Sequence, residues 1–173
     1  DAAKAKLKAL TGMEFDDFML LDKLNTPSDK LRDNPSKYLL YCDPFMGIFD
    51  AHITEGVNAY YKELYDKLSA IKATDDYKPY FESAAALADV LSVKAELGIK
   101  TRAAYLAGDT KALKCIAEND YTAAIEKLRS FHTKFRKFWF FENKPHGFDV
   151  QDIRLGGLIM RLESCRDRLL EFC

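Results

Sequence analysis

The chain has 173 residues, and a hydrophobic content of 48% is enough to build one sizeable core, so we predict a single domain over residues 1–173. Its 27 acidic and 26 basic residues nearly balance, which argues against a nucleic-acid scaffold and a polybasic membrane binder. No apolar run approaches the roughly 20 residues that span a bilayer, and an aromatic content of 13% disfavours disorder.

The first third of the chain carries signals for short helices. Residues 11–14 (Thr-Gly-Met-Glu) have the spacing of a capping box, which predicts a helix that begins just after Thr11. Asn34-Pro35 and Asp43-Pro44 each place a capping side chain before a proline that favours the first helical position. Residues 38–41 lie between them. This segment is too short to show a hydrophobic period, and we expect it to be extended.

Four long amphipathic stripes dominate the rest of the chain. Their apolar residues recur at spacings of three and four, which lines one face of a helix. The stripes are Val57, Tyr61, Leu64, Leu68 and Ile71; Ala84, Leu87, Leu91, Ala95 and Gly98, continued toward Tyr105; Tyr121, Ile125, Leu128, His132, Phe135 and Trp139; and Leu155, Leu158, Leu162, Cys165, Leu169 and Phe172. The third helix should start near Asp120. We therefore predict an all-α fold, a bundle of four or more long amphipathic helices plus short N-terminal helices.

Patterns for catalysis or metal binding are scarce. Four widely spaced cysteines without a Cys-x-x-Cys pair predict reduced thiols and no zinc site. His52 and Glu55 would share a helix face, but one such pair in the reverse order is not typical of a di-metal bundle. His132 lies on an apolar stripe, as core or boundary histidines do, and His146 lies in a loop. Nucleophile elbows and phosphate-binding glycine loops are absent from the sequence, so we predict no cofactor.

The most unusual local feature is an aromatic run mixed with basic residues. Its aromatic members are Phe131, Phe135, Phe138, Trp139, Phe140 and Phe141. Such mixtures can bind single-stranded nucleic acid, but four consecutive aromatics point all round a helix, which favours burial between two layers. Gly156 and Gly157 follow inside an apparent helix, where each costs about 1 kcal/mol against alanine. A close-packed neighbouring helix or domain would offset that cost. Alanine at Gly156 and Gly157 should therefore weaken association with this neighbour more than it weakens folding of the chain.

Two segments carry a family resemblance. They are residues 34–50 (NPSKYLLYCDPFMGIFD) and residues 139–158 (WFFENKPHGFDVQDIRLGGL). Both resemble the C-terminal helical domain of bacterial β-N-acetylhexosaminidases of glycoside hydrolase family twenty, and the similarity runs from about Leu7 to the end. The resemblance implies a parent enzyme that removes terminal N-acetylglucosamine or N-acetylgalactosamine from β-linked glycans, with the substrate's own acetamido oxygen as nucleophile.

The resemblance also implies that catalysis takes place outside this segment. The family's Asp-Glu pair lies on a catalytic barrel, whereas this chain contains no Asp-Glu dipeptide and no barrel pattern. We expect the segment alone to be inactive, with the barrel of the parent chain or a second copy of the enzyme as its partner. The interface residues predicted on this basis are Phe138, Trp139, Phe141, Lys144, Pro145, Gly147, Arg154, Gly156 and Gly157. Arg154 either bonds across that interface or pairs with a neighbouring acid such as Asp152.

Two other functions stay open at the level of sequence. A stand-alone helical module could bind a protein through the aromatic run, and an accessory sugar-binding domain could stack a glycan on Trp139. The chain opens without an initiator methionine or a signal segment, which is typical of a piece of a longer protein. Its low cysteine density favours a cytoplasmic parent.

Overall fold

The computed structural model describes residues 2–27, 31 and 33–173, which form helices and turns and contain no strand. The α-helices are α1 (Ala2–Thr11), α2 (Phe15–Asp22), α3 (Pro35–Tyr41), α4 (Val57–Ala70), α5 (Lys78–Lys94), α6 (Leu97–Leu106), α7 (Thr110–Cys115), α8 (Thr122–Glu142) and α9 (Phe148–Phe172). The all-α prediction is confirmed. A search of the described helices for a segment long and apolar enough to cross a membrane finds none.

The four long helices lie side by side as antiparallel neighbours. α4 packs on α5, α5 on α8, and α8 on α9. Polar pairs join each helix, or the turn after it, to the next: Asn58 to Glu96, Asp89 to Lys127, and Arg129 to Glu163. Their buried faces meet in one hydrophobic core, in which Leu91, Leu128 and Leu162 have no exposed surface.

The first and fourth predicted stripes are confirmed as core faces. Along α4 the residues Val57, Tyr61, Leu64 and Leu68 are all buried, whereas Ile71 of the predicted stripe lies just past the helix end and is half-buried. Along α9 every member of the predicted stripe is buried except Phe172, which is 57% exposed near the end of the chain. A spacing of three and four residues therefore identified both the helices and the side that each turns inward.

The bounds of the second predicted helix are wrong. The second is interrupted at Ala95-Glu96, because Glu96 exchanges two hydrogen bonds with Asn58: its carboxylate accepts from the Asn58 backbone N–H (2.9 Å) and its own N–H donates to Asn58 Oδ1 (3.0 Å). The third is confirmed, because the α-helix α8 begins at Thr122, close to the predicted Asp120. A further short helix, α7, precedes it from Thr110. α7 continues through a π-helical turn, Ile116–Tyr121, directly into α8.

The capping-box spacing predicted that a helix begins just after Thr11, but Thr11 is the last residue of a helix, α1. The Thr11 hydroxyl donates to the Leu7 carbonyl (2.8 Å), and Gly12 leaves α1 with a φ of +71°. α2 then begins at Phe15. A threonine with a glutamate three residues later also fits a helix C-terminus closed by glycine, which is what forms here.

Two predictions around α3 also fail. Residues 38–41 are helical rather than extended, since Pro35 occupies the first turn of α3. Asp43-Pro44 does not start a helix. The Asp43 carboxylate accepts from the Phe45 backbone N–H (2.8 Å) and closes a turn instead.

Candidate interaction surface

The described residues offer little machinery for catalysis. No group of three or more His, Cys, Asp or Glu side chains able to hold a metal ion occurs among them. His52 ends a short 3-10 turn and Glu55 lies in the loop after it, so the shared helix face predicted for this pair is wrong. All four cysteines are free, and burial raises the pKa of the Cys165 thiol to about 11.

His132 occupies the boundary position that its stripe predicted. Its side chain is half-buried between α8 and α9, with Nε2 2.6 Å from Asp152 Oδ1. The ring centroid lies 5.7 Å from that of Phe148. These contacts tie the two helices together, which accounts for the histidine without a catalytic role.

A buried lysine and a part-buried arginine hold the segment after α3, and sequence reasoning missed them. Lys94 is 1% exposed, and its Nζ donates to the carbonyls of Leu39 (2.9 Å) and Cys42 (2.8 Å). Burial lowers the pKa of Lys94. Arg102 binds the carboxylate of Asp50 on the same segment. The position of Lys94, three residues after a buried leucine of α5, was the one sequence signal that placed it on the inner face.

Asp43 and Arg161 form a part-buried pair between this segment and α9, with Nε 2.5 Å from Oδ2. Burial raises the pKa of Asp43, but hydrogen bonds from Arg161 and from the Phe45 backbone more than offset this, so the net pKa lies below the ordinary value. Because the folded pKa is below the unfolded one, the stabilisation is present above the unfolded pKa and is lost as the pH falls through the folded pKa.

Asp43→Asn is therefore expected to destabilise the domain by about 1–3 kcal/mol near neutral pH. The difference from the parent should shrink as the pH falls below about 4, the unfolded pKa, because the stabilisation is lost as the Asp43 carboxyl of the folded parent becomes protonated. Urea unfolding at neutral and acid pH measures it. Asp16→Asn is the matched control, because the Asp16 side chain is 81% exposed and its pair with Lys4 contributes little. A difference at Asp43 that persists unchanged in acid would contradict the assignment.

The predicted aromatic residues form a cluster at the end of α8. Tyr80 of α5 lies edge-on to Phe138 (centroids 5.0 Å apart) and to Phe141 (6.3 Å). Phe138 and Trp139 are half-buried, whereas Phe141 is 51% exposed. The cluster thus packs on α5 and α9 and leaves an outer side open. We name this region, comprising Tyr80 and residues 138–147, the aromatic end.

Two of the predicted loop residues, Lys144 and Gly147, lie against Trp139. The indole N–H of Trp139 donates to the Lys144 carbonyl (3.3 Å). Gly147, the residue before α9, has a φ of +94°, and a Cβ there would lie 3.3 Å from the Trp139 ring. Lys144 and Pro145 are exposed. Trp139 is thus half-buried against the loop, which disfavours the open platform on which a sugar would stack.

Arg154, Gly156 and Gly157 lie farther along α9. The guanidinium of Arg154 stands 4.5 Å from the centroid of the Tyr41 ring, while the carboxylate of Asp152 contacts His132 instead. A Cβ on either glycine would meet no atom within 4 Å. No helix of the described residues therefore packs against the two glycines. The nine predicted interface residues fall into two areas, the aromatic end and this part of α9.

Comparisons with known proteins identify one family. The family model described as "Glycoside Hydrolase 20C C-terminal domain" matches residues 16–173. This range begins at the second residue of α2 and runs to the end of the chain. It therefore includes both areas of the candidate surface. A search of the curated proteins found no match.

Proposed function

Since the chain belongs to the C-terminal domain family of glycoside hydrolase 20C, we propose that it is the non-catalytic helical domain of a β-N-acetylhexosaminidase and packs on that enzyme's catalytic barrel. The parent enzyme in this proposal removes terminal N-acetylhexosamine from β-glycosides. The helical domain supports the barrel, joins two copies of the enzyme, or does both.

The pairing of the carboxylates supports a non-catalytic role. Glycosidic bond cleavage needs carboxyl groups that face a substrate cleft. The part-buried carboxylates Asp43, Asp50 and Asp89 are instead each bound to an arginine or lysine of another segment. These pairs hold segments of the fold together, which supports a non-catalytic role for these three carboxylates.

The open outer side of the aromatic end is the observation that carries the packing role. Phe140 and Phe141 expose 38% and 51% of their surface beside the exposed Lys144 and Pro145. A contiguous apolar patch with a polar rim is typical of a surface that another protein domain covers. α2 reaches the same end of the bundle, since the Phe18 ring lies 5.1 Å from that of Tyr77 at the start of α5. A domain that precedes α1 in the parent chain is thus tethered near this end.

Hydrolysis of a chromogenic N-acetyl-β-glucosaminide tests the proposal. We expect the parent enzyme to cleave it and the 173-residue chain not to cleave it. The catalytic domain expressed without the helical domain should unfold at a midpoint lower by about 5 °C or more, because it loses the contacts of its partner.

Matched variants of the parent enzyme assign the effect to a surface. Phe141→Lys at the aromatic end should lower the unfolding midpoint of the catalytic domain, whereas Leu106→Lys should not. Leu106 is 83% exposed at the far end of α6 and is not part of the candidate surface. Hydrolysis by the helical chain alone, or a catalytic domain unaffected by its removal, would overturn the proposal in favour of a stand-alone module.

A further inference from the structure

α9 carries a second apolar row on the side away from the core. Val150, Ile153 and Met160 expose 48%, 74% and 61% of their surface, and the exposed Gly157 lies between the last two. Their spacing of three, four and three residues places them on one helix face. We name these four residues the outer row.

Both flanks of the outer row are already used within the domain. On one flank Asp152 and Glu163 contact a histidine and an arginine of α8. On the other flank Arg154 and Arg161 contact α3 and the turn after it. α9 is thus held on three sides, and the outer row is not needed to fix it. The fourth side of such a helix is normally polar, because it faces water.

Gly157 marks the place where another backbone can approach. Alanine would be favoured over glycine there by about 1 kcal/mol, and the added Cβ would touch nothing in the described domain. Beyond Met160 the same face continues with Ser164 and Asp167, both exposed and polar. The apolar part is therefore confined to the half of α9 that begins at the aromatic end.

The area of the outer row indicates what kind of partner covers it. Its three apolar side chains together expose on the order of 300 Å², the size of a functional patch on a monomer. Two such faces packed together bury about 600 Å² in total. This is roughly half of 1,200 Å², the lower end of the area that stable complexes between separate proteins bury. Contacts between domains of one polypeptide begin at about 600 Å², because the covalent link supplies a high effective concentration. The row therefore suits a tethered domain better than a second copy.

The charge beside the row adds a second constraint. The guanidinium of Arg154 lies over the Tyr41 ring, and within the part of the chain that the structure describes no carboxylate pairs with it. A guanidinium held over an aromatic ring keeps its hydrogen-bond donors for a carboxylate that approaches from outside. The complementary surface is therefore apolar, with an acidic side chain at its edge.

We infer that the outer row packs against an apolar helix of the catalytic domain of the same polypeptide, with Gly157 at the closest approach and a carboxylate of that helix beside Arg154. This inference rests on the proposed function and adds to it the face of α9 that is used. It also selects a contact within one chain over a contact between two copies.

The test uses the full-length parent enzyme with single substitutions in α9. Ile153→Lys places a charge in the row and should speed proteolytic release of the helical domain about tenfold or more, because the coupled state opens more often. Ser164→Lys is the matched control, since it adds the same charge on the polar continuation of the same face and should leave the release rate unchanged.

Gly157→Leu separates loss of contact from loss of folding. Leucine favours the helix more than glycine does, and its Cβ meets no atom of the domain within 4 Å, so this variant should keep the helical content of the parent while it releases the domain faster. Sedimentation of each variant reports the number of copies, which should not change.

The outcomes distinguish the inference from the function on which it rests. An unchanged release rate with dissociation of a dimer would assign the row to a second copy and overturn the inference. If substitutions in the outer row leave the release rate unchanged while Phe141→Lys separates the helical domain from the catalytic domain, the inference is overturned and the proposed function stands. A catalytic domain indifferent both to these variants and to deletion of the helical domain would overturn the two together.

Discussion

Lys94→Ala is expected to lower the free energy of unfolding by about 3–5 kcal/mol. The side chain is 1% exposed, so its removal leaves a cavity between α3 and α5. Its Nζ also donates to the carbonyls of Leu39 and Cys42, and both lose this partner in the variant. Urea unfolding monitored by circular dichroism measures the loss, because most of the chain is helical.

Lys94→Met is the matched control for the volume of the side chain. Methionine fills most of the space but cannot donate, and it removes a charge whose burial is costly, since burial lowers the pKa of Lys94. We expect it to lose about 1–3 kcal/mol, between the parent and the alanine variant. An alanine variant within about 0.5 kcal/mol of the parent would show that the ammonium does not hold the end of α3.

The long helices could be predicted because their information is local. The buried residues of α4 and α9 repeat every three or four positions over many turns, which leaves no competing pattern. The break between α5 and α6 could not be predicted in the same way. It depends on Asn58, which lies 38 positions from Glu96 in the chain and meets it only in the folded bundle.

The short elements failed for a related reason. α3 has seven residues, too few for a period, and its end is held by Lys94 from another helix. Asp43 before a proline resembles a helix cap, yet its carboxylate closes a turn and binds Arg161, 118 positions later. A local capping pattern shows which backbone groups a side chain is able to satisfy, and tertiary partners decide which of those bonds form.

The candidate surface was predicted in part. The aromatic run and the loop after it do lie together, because α8 continues to Glu142 and Gly147 turns the chain back into α9. The outer row was missed because one apolar stripe already explained α9. A second stripe on the same helix was visible in the sequence at Val150, Ile153 and Met160. Two stripes on one long helix indicate two packing partners, only one of which is the domain's own core.

Phe148→Ala is expected to destabilise the domain by about 3–5 kcal/mol and to loosen the aromatic end. Phe148 is 2% exposed, and its ring centroid lies within 6 Å of those of Phe135, Trp139 and Phe140. It is therefore the side chain around which the end of α8 closes onto α9. Trp139 is the one tryptophan of the chain, so its fluorescence during urea unfolding reports on this region directly.

Phe172→Ala is the control at the other end of the same helix. Phe172 is 57% exposed and has one aromatic neighbour, Tyr105 at 5.6 Å, so its truncation should cost less than about 1 kcal/mol. Equal losses for the two variants would show that the aromatic end is not a packed unit. If Phe148→Ala alone also weakens the coupling to the catalytic domain, the inner packing of the cluster sets the shape of its outer side, and the surface is preorganised for its partner.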